Sequence, residues 1–129
     1  MSQVAVAHSI AAKTRSTLGH AVLIGSNHQE NLALQYLAAS LQAKGFTADL
    51  VGFNERPDVS TVLRAVKAAQ PSLVGLQVAF QFAVDDCIWL ARALREDGYR
   101  GHLTAGGHVA TFCYRELLAP GMPFDSVVR

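Results

Sequence analysis

Short apolar runs alternating with amphipathic stretches predict an α/β fold, a doubly wound five-stranded parallel sheet of order 2-1-3-4-5. Two observations carry this prediction. The runs are apolar at consecutive residues, as in strands covered on both faces. The stretches between them repeat apolar residues at i, i+3, i+4 and i+7, and a strand–helix–strand succession implies parallel pairing through right-handed crossovers.

Residues 20–26 form the first predicted strand, short, apolar and punctuated by glycine. The first helix spans 30–44, with Leu34, Leu37, Ala38 and Leu41 on one face, Asn27 and Glu30 as a capping box and Gly45 as its stop. Residues 46–53 make a second strand, followed by turn chemistry over 54–57. Asp58 caps a second helix whose inner face is Val59, Val62, Leu63 and Val66, and Pro71 ends it. The most apolar segment, 72–80, is the central strand. A third helix covers 83–97, turning Val84, Cys87, Ile88, Ala91 and Leu94 inward and leaving Trp89 partly exposed or at a domain interface. A fourth strand at 102–105, a short helix at 111–118 and a fifth strand at 124–128 complete the series.

With 129 residues, 50% of them hydrophobic and 16% charged, the chain is globular and of single-domain size. A net charge of +1, with Arg56, Arg64, Lys67, Arg92 and Arg95 scattered over separate elements, argues against nucleic-acid and membrane partners. Cys87 and Cys113 are spaced neither as a zinc site nor as a disulfide framework, so a reducing cytoplasm is expected. No apolar run has the length of a membrane span. Residues 1–19 are set apart as a flexible N-terminal extension. Their apolar stretch precedes Lys13 and Arg15, the wrong order for a secretory signal, and His8 and His20 are expected to be solvent-exposed.

Ligands of such sheets bind beyond the carboxyl ends of the strands, where the strand order reverses. The loops there offer Ser26, Asn27, His28, Glu30 and Asn31, then Gln77, Ala79 and Phe80, then Gly106, Gly107, His108 and Thr111. The set holds no carboxylate cluster for a hard metal and no evident acid–base pair. Gly25-Ser26-Asn27-His28 lacks the later glycines of a dinucleotide fingerprint, and no phosphate-cradling Gly-Lys-Ser/Thr loop is present. The segment after Gly25 is too poor in Ser, Thr and Gly for a flavin-phosphate loop, and Ser26 and Gln77 stand where a phosphoacceptor domain needs acidic residues. Taken singly, Gln77 also reads as a hydrogen-bonded core amide, Gly106-Gly107 as a tight turn, and His108 and His102 as structural.

The pattern Ser26-x-His28-x-x-Asn31, Gln77-x-Ala79 and Gly106-Gly107 falls where cobalamin-binding domains carry Asp-x-His-x-x-Gly, Ser-x-Leu and Gly-Gly. Residues 20–129 therefore resemble the cobalamin-binding family. Glu30-Asn31-Leu32-Ala33-Leu34 and Ala105-Gly106-Gly107-His108-Val109-Ala110-Thr111-Phe112 look like the cobalamin domains that precede radical S-adenosylmethionine domains. The segment Phe124-Asp125-Ser126-Val127-Val128-Arg129 resembles the point where those proteins run on into the next domain.

The resemblance implies bound cobalamin, held by the twelve rim residues named above and presented to a radical S-adenosylmethionine domain, fused or separate, for methyl transfer. S-adenosylmethionine and an iron–sulfur cluster would belong to that partner, since this chain lacks the Cys-x-x-x-Cys-x-x-Cys motif, and no residue here would be catalytic by itself. It also implies His28 as lower cobalt ligand, with Ser26 or Glu30 standing in for the orienting aspartate; the other role open to His28 is a polar contact to corrin amides or to the helix cap. Physically, a slot for the cofactor's flat tail needs small lining residues, which Gly25, Gly75, Ala79, Gly106 and Gly107 supply, while Phe80 or Phe82 covers the macrocycle. Two other classes are carried alongside: a cofactor-free protein-interaction or regulatory module, and a small flavin- or nucleotide-binding protein of flavodoxin-like, Rossmann-like form.

Overall fold

The computed structural model describes residues 16–129, so most of the expected extension, His8 included, lies outside the described residues. The elements run β1 His20–Gly25, α1 Leu32–Ala43, β2 Thr47–Gly52, α2 Val59–Ala69, β3 Leu73–Gln77, α3 Val84–Glu96, β4 His102–Gly106, α4 His108–Leu117 and β5 Ser126–Val127. Single 3₁₀ turns at Arg56–Asp58 and Gln81–Ala83 lead into α2 and α3. All strand pairs are parallel and the order is β2-β1-β3-β4-β5, as expected.

The two-residue period of the strands divides the interior in two. Val22, Ile24, Val74, Leu76, Leu103 and Ala105 face Val62 and Val66 of α2, Leu90 and Leu94 of α3, and Ala110 and Leu117 of α4. Intervening residues Ala21, Leu23 and Ala48 pack under Leu34 and Ala38 of α1. On the face opposite α4, β4 and β5 carry a polar ladder. His102 Nε2 lies 2.8 Å from Ser126 Oγ, which donates to Thr104 Oγ1 at 2.8 Å, and Thr104 Oγ1 donates to the Ser126 carbonyl.

Several sequence expectations need correction. His20 is buried, not exposed: its Nδ1 lies 2.7 Å from Thr47 Oγ1 and its Nε2 2.9 Å from Asp49 Oδ2. Both partners sit on β2, brought alongside by the His20–Thr47 register. The Asp49 carboxylate can only accept, so Nε2–H donates to it. The Asn27–Glu30 capping box does not form. Asn31 caps α1 instead, accepting from the Leu34 N–H. Asp58 does not cap α2; its carboxylate accepts from the Asn54 and Glu55 N–H groups and closes the preceding 3₁₀ turn. Leu90, omitted from the expected inner face of α3, is fully buried, whereas Ile88 is half-buried. Trp89 is also half-buried, under the Arg56 guanidinium at 5.0 Å.

The short β5 is held from outside the ladder. Asp125 Oδ2 accepts from the Leu103 N–H at 2.8 Å and from Arg95 Nη2 at 2.6 Å, tying β5 to β4 and α3. The Leu103 N–H holds the Asp125 carboxyl below its ordinary value, against the opposing push of burial and with further help from Arg95. A depressed folded-state value makes this contribution complete above the unfolded pKa, and it disappears as pH falls through the folded value. Asp125→Asn, which keeps an acceptor for Leu103, should therefore lower stability at neutral pH and flatten the acid-induced decline as pH falls through and below the ordinary carboxylate range. Urea midpoints measured across that range would show it; an unchanged slope would contradict this role for Asp125.

Candidate functional site

Parallel register brings a row of nearly side-chain-free residues to the carboxyl rim of the sheet. Gly52 pairs with Gly25, and Gln77 pairs with Gly106; Gly25 and Gln77 each lie one residue beyond the Ile24–Leu76 pair. Only Gln77 carries a side chain in this row. The space a Cβ would take on Gly52 holds the Asn27 amide. A Cβ on Gly25 would meet Gln77 Oε1 at 2.5 Å, Leu34 Cδ1 at 2.8 Å and Asn31 Nδ2 at 3.1 Å. At Gly106 the nearest atom would be Val128 Cβ at 3.6 Å, an ordinary contact. Two rim glycines thus let loop amides lie against the backbone, and the third leaves room.

The β1–α1 loop is fixed by amide pairs. Ser26 Oγ and the Asn27 N–H both donate to Asn54 Oδ1 at 2.9 Å, and Asn54 Nδ2 returns a bond to Asn27 Oδ1 at 2.6 Å. Asn54 is itself tied through its N–H to Asp58, so the first loop is lashed to the β2–α2 turn. Asn31, besides capping α1, donates through Nδ2 to the Ser26 carbonyl at 3.0 Å and to Gln77 Oε1 at 2.6 Å. Gln77 Nε2 returns a longer bond to Asn31 Oδ1, 3.4 Å.

Over this floor opens a cleft of about 570 Å³. Its near wall is the first loop, with Ser26, His28, Glu30 and Asn31; its far wall is Gln77, Ala79 and Phe80. Phe53 and Asn54, and Asp86 and Cys87 of α3, complete the lining. Arg56 spans the flank, its Nε 2.7 Å from Asp86 Oδ1 while its guanidinium covers Trp89. Being half exposed, that ion pair adds little stability, and its effect is to position the turn. Burial first, and the neighbouring Asp86 second, push the Cys87 thiol up to about 11, so it stays protonated and donates to the Gln77 carbonyl at 3.7 Å.

The Gly106-Gly107 turn lies beside this cleft rather than in its wall. Gly107 has φ +106°, and a Cβ there would stand 3.0 Å from the Val78 carbonyl oxygen. The close approach is needed because the Val78 N–H donates to the Gly106 carbonyl at 2.7 Å and the Val109 N–H to the Val78 carbonyl at 3.1 Å. Thr111 donates through both its N–H and Oγ1 to the Gly107 carbonyl, inside the first turn of α4. His108 meets the edge of Phe112 with ring centroids 5.3 Å apart, both residues exposed.

The structure therefore gathers Ser26, His28, Glu30, Asn31, Gln77, Ala79 and Phe80 around one cleft. Asn27 turns to Asn54, Gly106 joins through the rim row, and Gly107, His108 and Thr111 lie on the flank beyond β4. The Phe82 side chain lies outside the described ones. Sequence reasoning missed Phe53, Asn54, Asp86 and Cys87. Cys87 reads as an ordinary inward-facing helix residue, and only its position one turn into a helix that starts at the rim points to the cleft. Among the described residues no group of three or more His, Cys, Asp or Glu is placed to hold a metal ion.

The sequence model of the B12 binding domain family matches residues 24–129, which include every element from the last residues of β1 to β5. The chain belongs to the B12-binding family. No curated protein sequence matches it. Among solved structures it is similar to a cobalamin-binding protein from Desulfitobacterium hafniense, at 20% identity and a TM-score of 0.66, over 97% of this chain and 61% of that one. It is also similar to the leucine-binding protein LivK from Thermotoga maritima, at 16% identity and a TM-score of 0.58, over 80% of this chain and 29% of that one. Such identities show a shared fold, and the chain spans less than two thirds of either protein. In this B12-binding domain the Gly106-Gly107 turn acts as a backbone clamp on Val78, the residue that follows β3. Gly107→Ala should accordingly cost about 1–3 kcal/mol of unfolding free energy, whereas Gly106→Ala should stay within about 1 kcal/mol of the parent. Equal costs in urea unfolding would mean that the clamp at Val78 is not what requires glycine.

Proposed function

We propose that this cobalamin-binding domain holds its cofactor over the carboxyl rim and presents the outer face of the corrin to a radical S-adenosylmethionine domain, fused or separate, for methyl transfer. The observation that supports it is the cleft of about 570 Å³ at the carboxyl rim, where the loops diverge: a flat, bulky ligand needs close approach to backbone, which Gly25 offers in the lining once the Gln77 amide turns aside and Gly106 offers beside it. Cobalamin, when bound, supplies a cobalt centre able to carry a methyl group, while S-adenosylmethionine and the iron–sulfur cluster belong to the partner.

The chain's own residues bind and orient. His28, exposed at the cleft, is the one imidazole in its wall, and it serves either as lower cobalt ligand or as a polar contact to the corrin amides. Ser26 is turned toward Asn54, to which its hydroxyl donates, and no hydrogen bond joins it to His28. That favours the polar contact over a metal bond, since ligating histidines need a partner on their second nitrogen. Phe80, 57% exposed, offers an apolar face beside the ring, and the Gly106 backbone lies open next to Gln77. A cytoplasmic location accords with Cys87 and Cys113, both unpaired.

Mixing the purified protein with hydroxocobalamin, desalting it and recording the visible spectrum tests this reading. Corrin absorbance should stay with the protein, and Gly106→Phe should weaken retention more than His28→Ala. A colourless protein would refute cobalamin binding, and the opposite ranking would make His28 the cobalt ligand.

A further inference from the structure

The two positions where this chain departs from the small residues of its family's pattern, Asn31 and Gln77, are 46 residues apart and hydrogen-bonded to each other. We infer that this amide pair is a specificity element that sorts corrinoids by what hangs beneath the ring. The inference rests on the cobalamin binding proposed above.

Gln77 is the single side chain in a rim row otherwise made of glycine, and its amide oxygen stands where a Cβ on Gly25 would be, covering the backbone in the floor of the cleft. Its partner is an anchored post. Asn31 is held by the Leu34 N–H and the Ser26 carbonyl as well as by Gln77, so it cannot turn away without uncapping α1. Gln77 is the movable half, held at its amide by one 2.6 Å bond and one of 3.4 Å. Its backbone need not move, since its carbonyl remains the acceptor for the Cys87 thiol. A corrinoid bearing a nucleotide base must displace the Gln77 amide to reach Gly25. One that lacks the nucleotide seats its ring in the cleft with the pair intact.

Losing one such bond between half-buried amides reduces affinity about fivefold. The test compares hydroxocobalamin with aquocobinamide, the same corrin without its nucleotide, by spectrophotometric titration of the parent, Gln77→Ala, Asn31→Gly and the double variant. Glycine at an N-cap costs α1 only a few tenths of a kcal/mol, and urea midpoints check that each variant is folded. Each single variant should raise the cobalamin-to-cobinamide affinity ratio about fivefold. The double variant should raise it no further, because both substitutions break the same bond. An unchanged ratio in either folded variant, or effects that multiply in the double variant, would overturn the gate while leaving cobalamin binding intact. If neither the parent nor any variant holds either corrinoid, the cobalamin reading falls and the gate with it.

Discussion

Parallel pairing is the constraint from which the rest follows. When all five strands run the same way, every strand-to-helix connection leaves from one edge, and the loops carrying polar residues crowd that edge. Between β1 and β3 the chain departs to opposite faces, α1 to one side and α2 and α3 to the other, and a crevice opens. Loops can lie flat over the strand ends only where no Cβ stands in the way. Gly25 and Gly52 meet that need, and the amides of Gln77 and Asn27 fill the space they leave.

The two halves of the interior differ in strength. The face under α2, α3 and α4 is built from Ile24, Val62, Val74, Leu90, Leu94 and Leu117, all essentially inaccessible to solvent. The face under α1 rests on Ala21, Leu23, Leu34, Ala38 and Ala48, smaller groups that bury less apolar area. Hydrogen bonds through Asn54 and Asn31 hold the β1–α1 loop where this packing is thin.

The sheet order and all nine regular elements were legible from apolar periodicity, because buried strands and one-sided helices leave unmistakable patterns over many residues. Loop detail was not. Asn27 is a good cap on paper, but Asn54, 27 residues downstream, takes up its amide, and Asn31 caps α1 instead. His20 looked like a surface histidine because Thr47 and Asp49 become its neighbours only through β1–β2 register. Gly107 was legible as a turn residue, but its contact with the Val78 carbonyl depends on a residue 29 positions earlier, just past β3. Seven of the twelve rim residues expected from the sequence line one cleft. Which of them face one another is a tertiary matter, as the Asn31–Gln77 pair shows.

The most direct test of ligand binding at this rim is a two-dimensional ¹H–¹⁵N NMR titration with hydroxocobalamin, read at the glycine amides. Gly25, Gly52 and Gly106 should shift with increasing ligand, while Gly98, Gly101 and Gly121, which precede strands at the opposite edge, should stay in place. Shifts confined to the second group, with the rim glycines unmoved, would contradict the account.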